Sequence, residues 1–130
     1  MQQAQQVLTV LVVEDEALLQ ALAEDSLVEG GFEVTTVGSG EEAVQLLQDS
    51  SLTFCALVTD INLKGALDGW EVARIAREIE ATFPIVYMTG AAADEWPSKG
   101  VPHSVLLNKP FAPAQLVTAV SQLLNAGTTT

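Results

Sequence analysis

Three short runs of this chain are apolar almost without interruption: "VLTVLVV" (Val7–Val13), "FCALVT" (Phe54–Thr59) and "IVYMT" (Ile85–Thr89). A strand with one face in water alternates apolar and polar residues. A run that does not alternate must be covered on both faces, which is the situation of strands inside a parallel sheet. Two further runs, "EVTTVG" (Glu33–Gly38) and "SVLLN" (Ser104–Asn108), bring the strands to five. The first of these two is the more polar and is expected at a sheet edge.

Between the runs the period changes to that of a helix. Leu18, Leu19, Leu22, Ala23 and Leu27 form a stripe closed by Gly30-Gly31, which suits a C-terminal cap. Ser39-Gly40-Glu41-Glu42 has capping-box spacing ahead of Val44 and Leu47. Val72, Ala76 and Ile79 define a third helix, introduced by the turn Asp68-Gly69. Leu116, Val120 and Leu123 define the last, with Pro113 in its first turn. The segment "GAAADEWPSKGVPHS" is the exception. Pro97, Gly100 and Pro102 leave room for one or two helical turns, and Ala91–Val101 is expected to be held by few contacts.

Alternating β and α segments, joined by right-handed crossovers, predict an α/β three-layer sandwich with a short or irregular fourth helix. At 130 residues this is one domain, read here as residues 7–125 with flexible tails at 1–6 and 126–130. Seventeen acidic residues against five basic ones give a formal net charge of -12, which disfavours nucleic acid and anionic membrane as partners. The lone cysteine, Cys55, excludes an internal disulfide and reads as a small buried hydrophobe. Without a charged leader or a membrane-length apolar run, the expectation is a soluble cytoplasmic protein.

Ligands of open parallel sheets bind beyond the carboxyl ends of the strands. Glu14 and Asp15 stand at that end of the first strand, Asp60 of the third, Thr89 of the fourth and Lys109-Pro110 of the fifth. Each has a plain alternative: Asp15 suits an N-cap, Glu14 and Glu16 suit a solvated helix start, and Asp60 suits a turn. Their joint placement is what argues for a site. Crowded carboxylates repel unless a cation lies among them. Asp15 and Asp60 could supply hard oxygen ligands to Mg²⁺, which keeps other positions for water and phosphate oxygens. Asp60 could then act as nucleophile toward a phosphoryl group, with Lys109 and the Thr89 hydroxyl suited to its oxygens. His103 reads as an exposed loop residue.

The segments "VLVVEDE", "LVTDINL", "VYMTG" and "LLNKPF", in this order and at this spacing, resemble the receiver domains of two-component response regulators, from Val7 to about Leu124. The resemblance implies a flavodoxin-like fold of strand order 2-1-3-4-5. It also implies that Asp60 is the phosphoacceptor, with Asp15 binding Mg²⁺ directly and Glu14 through water. Asn62 would offer its backbone carbonyl to the metal, Thr89 would bond a phosphoryl oxygen, and Lys109, before a cis Pro110, would pair with the phosphate. The implied partner is a sensor histidine kinase or phosphotransfer protein, with an unidentified protein downstream.

The chain departs from the family pattern in three places. Lys64 replaces the usual proline, in a loop one residue longer than common. The stretch from Thr89 to Lys109 is about two residues short. Leu106 replaces an aromatic residue, so any signal is expected to pass through the segment after Thr89. No effector domain is expected, and the resemblance then implies a single-domain regulator that catalyses only its own phosphorylation and dephosphorylation. A phosphatase of the haloacid-dehalogenase type is the enzymatic alternative, although Asn62 stands where its general acid belongs. A phosphate-independent pseudo-receiver is the other alternative.

Overall fold

The computed structural model describes residues 7–127. Five strands, β1 (Thr9–Val13), β2 (Glu33–Val37), β3 (Ala56–Asp60), β4 (Ile85–Thr89) and β5 (Val105–Asn108), pair in parallel in the order β2-β1-β3-β4-β5. The helices are α1 (Ala17–Glu29), α2 (Gly40–Leu47), α3 (Gly69–Ile79), α4 (Trp96–Lys99) and α5 (Pro113–Gly127), with a 3-10 turn at Ala93–Glu95. The fold is the three-layer, flavodoxin-like sandwich implied above, with β2 at an edge.

The uninterrupted apolar runs divide between two cores. Leu11, Val13, Leu57, Ile85 and Tyr87 face α2 and α3, while Val10, Val12, Ala56, Val58, Val86 and Met88 face α1 and α5. Successive side chains point to opposite faces, so a strand covered twice must be apolar throughout.

Local capping follows the sequence closely. The Ser39 hydroxyl accepts from the Glu42 N–H at 3.2 Å, and Glu42 accepts in return from Gly38 N–H. Gly31, at φ 97°, closes α1 in the left-handed region. Asp68 caps α3, accepting from Glu71 N–H at 2.9 Å.

Several element limits differ from expectation. β1 begins at Thr9, where its first partner Glu33 begins, and Val7 is left 55% exposed. β3 is displaced toward its C-terminus, so that Asp60 itself pairs with Met88. β2 stops before Gly38, and β5 starts after Ser104. The α1 stripe is narrower than five residues: Ala23, Ser26 and Leu27 are buried, whereas Leu18 is 87% exposed and Leu22 also faces out. Leu18 and Leu22 lie one position back from the Leu19–Ala23–Leu27 line, which turns them away from the sheet. Cys55 is half-buried, and burial pushes its thiol up to about 11. α5 continues through Gly127, into the stretch read as a tail; residues 1–6 and 128–130 lie outside the described residues.

The segment after β4 forms the expected one or two turns, but it is not loosely held. Val101 N–H donates to the buried Tyr87 hydroxyl at 3.0 Å. Trp96 Nε1 donates to Ser104 Oγ at 3.0 Å, and that hydroxyl donates to Val101 O at 2.6 Å. Arg77 Nη1 reaches Pro102 O at 2.7 Å. Local composition could not register these bonds, because their partners lie on α3, β4 and the approach to β5. Tyr87→Phe keeps the ring against Trp70, 4.8 Å between centroids, and removes only the acceptor. We expect a loss of about 1 kcal/mol and faster solvent exchange at the Val101 amide. Unchanged exchange there would mean that this bond does not hold the segment.

Candidate functional site

β1 delivers Glu14 and Asp15 past its end, β3 carries Asp60 as its last residue, and β5 is followed by Lys109, whose bond to Pro110 is cis. Glu14 is fully buried: its Oε1 accepts from Lys109 Nζ at 3.0 Å, and its Oε2 accepts from Glu16 N–H at 3.1 Å. Lys109 Nζ also lies 3.2 Å from Asp60 Oδ1. One ammonium therefore bridges two buried carboxylates. Carboxylate oxygens of Glu14, Asp15 and Asp60 all lie within 4.8 Å of one another. This donor set is hard and oxygen-only, which fits Mg²⁺.

Burial dominates the electrostatics. It raises the carboxyl groups of Asp60 and Glu14 above the ordinary carboxylate range, against the lowering effect of Lys109. Burial also works against the Lys109 ammonium, but the bond to Glu14 and the charge of Asp60 outweigh it and hold the group above its usual value. Charging either acid thus costs more in the folded chain than in the unfolded one.

Asp15 does not cap α1. The N-cap position belongs to Glu16, without a side-chain bond, and Asp15 Oδ2 instead accepts from Lys64 N–H at 3.1 Å. Gln20 reaches back to Glu14 O at 3.0 Å and Val37 O at 3.2 Å. A cleft of about 640 Å³ opens above the cluster, lined by Asp15, Asp60, Asn62, Lys64, Gly90 and Lys109 among others. Thr89 is not in that lining. Its buried hydroxyl accepts from Ala91 N–H at 3.1 Å and Ala92 N–H at 2.8 Å, closing its own turn.

Two bonds on the loop after Asp60 escaped the sequence reading. Glu41 of α2 accepts from Ala66 N–H at 3.0 Å, a bond that holds its carboxyl below the usual range. Together with the Asp15–Lys64 bond it pins the loop beyond Asp60, where Gly65 takes φ 102°. That glycine was the available signal. Leu106 pairs with Tyr87 and packs, partly buried, on the α2–α3 side, while His103 is exposed at φ 60°.

Mg²⁺ is expected to raise the melting temperature more than NaCl of matched ionic strength, by relieving the Glu14–Asp15–Asp60 repulsion in the folded state alone. With metal chelated, lowering the pH from about 7 toward about 5 should also stabilise the fold, because raised folded-state values mean that the folded chain binds the extra protons. The lowered carboxyls of Glu41 and Glu71, and of Asp49, oppose this only as the pH falls below the ordinary values of 4.5 for glutamate and 3.8 for aspartate. Equal rises from both salts, with no gain on acidification, would deny the cluster a cation-binding role. Thermal melts in the presence and absence of chelator decide.

Comparison with known proteins gives consistent results. The family model for the response regulator receiver domain matches residues 10–121. The chain is 33% identical over 119 residues to the response regulator receiver protein CpdR of Brucella abortus (strain 2308), covering 90% of this chain and 97% of that one. It spans about half the length of other curated relatives described as transcriptional regulators. The crystal structure of a response regulator receiver protein from Sinorhizobium medicae WSM419 superposes with a TM-score of 0.90 at 51% identity, covering 92% of this chain and 96% of that one. The receiver domain of sensor histidine kinase PA1611 from Pseudomonas aeruginosa PAO1, solved with a magnesium ion coordinated in its active site cleft, superposes with a TM-score of 0.80 at 26% identity, covering 92% and 99%. Among the described residues no helix is long and apolar enough to cross a membrane.

Proposed function

The chain belongs to the response regulator receiver domain family, and from that premise we propose that it takes a phosphoryl group onto Asp60 from a sensor histidine kinase or phosphotransfer protein, with Mg²⁺ as cofactor. The observation that carries this reading is the Lys109 ammonium, within 3.0 Å of Glu14 and 3.2 Å of Asp60, beside three converging carboxylates. Such an arrangement places the Asp60 carboxylate in a cleft where incoming negative charge meets a fixed cation. The magnesium-bound receiver of PA1611 supports the metal assignment.

The Asp60 carboxylate attacks the donor phosphorus, the bond from phosphorus to the leaving group breaks, and an aspartyl phosphate remains. Asp15 and Asp60, with Glu14 behind them and the Asn62 carbonyl at the rim, would hold Mg²⁺. When bound, the ion supplies charge neutralisation for the carboxylates and for phosphoryl oxygens. Lys109 holds Asp60 in place before transfer and pairs with a phosphoryl oxygen after it. Thr89 changes partners: its hydroxyl gives up the Ala91 and Ala92 amides to reach the phosphoryl group. Two states can be shifted only by a contact that differs between them, and this is such a contact. The loosened turn then carries the change into the 3-10 turn and α4, toward an unidentified protein partner. The chain is a switch rather than a turnover enzyme, and a cytoplasmic setting suits a substrate of kinases.

Incubation with acetyl phosphate and Mg²⁺, followed by intact-mass measurement, tests the reading. One added phosphoryl group is expected, and none without Mg²⁺. An unmodified mass under both conditions rejects the proposal, and sustained release of phosphate from many organic esters would favour a phosphatase.

A further inference from the structure

The chain has five cationic side chains, and four are engaged. Arg74 is paired with Glu71, Lys99 with Glu95, and Lys109 with Glu14 and Asp60, while Arg77 is spent on the carbonyls of Phe83 and Pro102. Lys64 alone has no side-chain partner among the described residues, and it lines the cleft over Asp60. Its position is fixed even though its side chain is exposed. Its own N–H is bonded to Asp15 Oδ2, and two residues on, Ala66 N–H is bonded to Glu41 Oε2. The loop cannot swing Lys64 off the cleft without breaking one of these bonds.

We propose that the Lys64 ammonium is a second phosphoryl-binding cation, lining the same cleft as Lys109, that draws the anionic phosphodonor in and binds its outer phosphoryl oxygens during transfer. This rests on the phosphoacceptor reading of Asp60. The cause is electrostatic. A phosphodonor carries negative charge and must approach a chain of formal net charge -12, into a cleft walled by carboxylates. A cation at the lip raises the local donor concentration and offsets the charge collected on the phosphoryl oxygens as the Asp60 oxygen–phosphorus bond forms and the leaving-group bond breaks. With acetyl phosphate as donor, acetate departs with the bonding electron pair, and no proton need move.

The test compares wild type, Lys64→Ala, Lys64→Arg and Lys99→Ala for the rate of phosphorylation by acetyl phosphate with Mg²⁺, at low and high ionic strength. Lys64→Ala should be slower by about three- to fivefold at low salt, with the difference shrinking as salt rises. Lys64→Arg should hold close to the wild-type rate. Lys99→Ala removes the same charge from a lysine that is paired with Glu95 and does not line the cleft, and should change little. Mg²⁺ alone should raise the melting temperature of Lys64→Ala at least as much as that of wild type, since a cation gives nothing to cation binding. Equal rates for wild type and Lys64→Ala, equal slowing by Lys99→Ala, or a lost Mg²⁺ response in Lys64→Ala would each overturn the inference. A wild-type protein that takes no phosphate would instead reject the reading of Asp60 itself.

Discussion

Asp60→Asn should take up no phosphoryl group from acetyl phosphate and Mg²⁺ while folding at least as stably as the metal-free parent. The amide has no carboxylate oxygen to attack phosphorus, so the loss should be complete rather than partial. The second half of the expectation follows from burial. Asp60 is 6% exposed, and desolvation raises its carboxyl, so the charged group is carried into the fold at a cost. An amide of nearly the same shape avoids that cost and also relieves the repulsion with Asp15. Lys109 keeps Glu14 as its partner. Intact mass and thermal melts check the two halves separately. A phosphorylated Asp60→Asn chain would place the acceptor elsewhere. A strongly destabilised one would mean that Asp60 serves the fold as well as the chemistry.

Gly69→Ala should be among the most damaging single-methyl additions in the chain. A Cβ at Gly69 would lie 2.2 Å from the Asp60 carbonyl oxygen and 2.8 Å from the Ile61 Cα. The obstruction is backbone, not a side chain that could rotate away. Gly69 N–H also donates to Ile61 O at 2.8 Å, which binds the start of α3 directly to the segment leaving β3. The methyl must therefore push α3 off the strand that carries the phosphoacceptor. A loss of about 3 kcal/mol is expected, at the upper end of overpacking costs, together with slower phosphorylation as Asp60 shifts. Gly90→Ala is the natural contrast, because a Cβ there meets nothing within 4 Å. Urea denaturation of the two variants should separate them clearly; equal stability would mean that the α3–β3 junction yields without cost.

Much of the fold was legible because it is written locally. Alternation or its absence tells how many faces of a strand are covered, and Gly31, Ser39 and Asp68 mark helix limits by backbone and capping chemistry within a few residues. The errors fall where a residue's fate depends on a distant neighbour. Leu18 and Leu22 satisfy a helical stripe as well as Leu27 does, and only the position of the sheet turns them outward. Ala91–Val101 looks weakly held until Tyr87, Arg77 and Ser104 are brought against it.

The site divides along the same line. That Glu14, Asp15, Asp60, Thr89 and Lys109 gather at one end follows from the sequence alone, because parallel strands joined by crossovers must all finish on the same side. Tertiary structure alone decided how they are engaged. Lys109 is bonded to Glu14 across 95 positions, Asp15 holds the Lys64 amide instead of capping a helix, and the Thr89 hydroxyl is occupied by its own turn. Strand ends are set by local period and packing, so they can be read in order along the chain. Which polar atom meets which depends on distances of about 3 Å between segments far apart in sequence, and no local pattern carries that information.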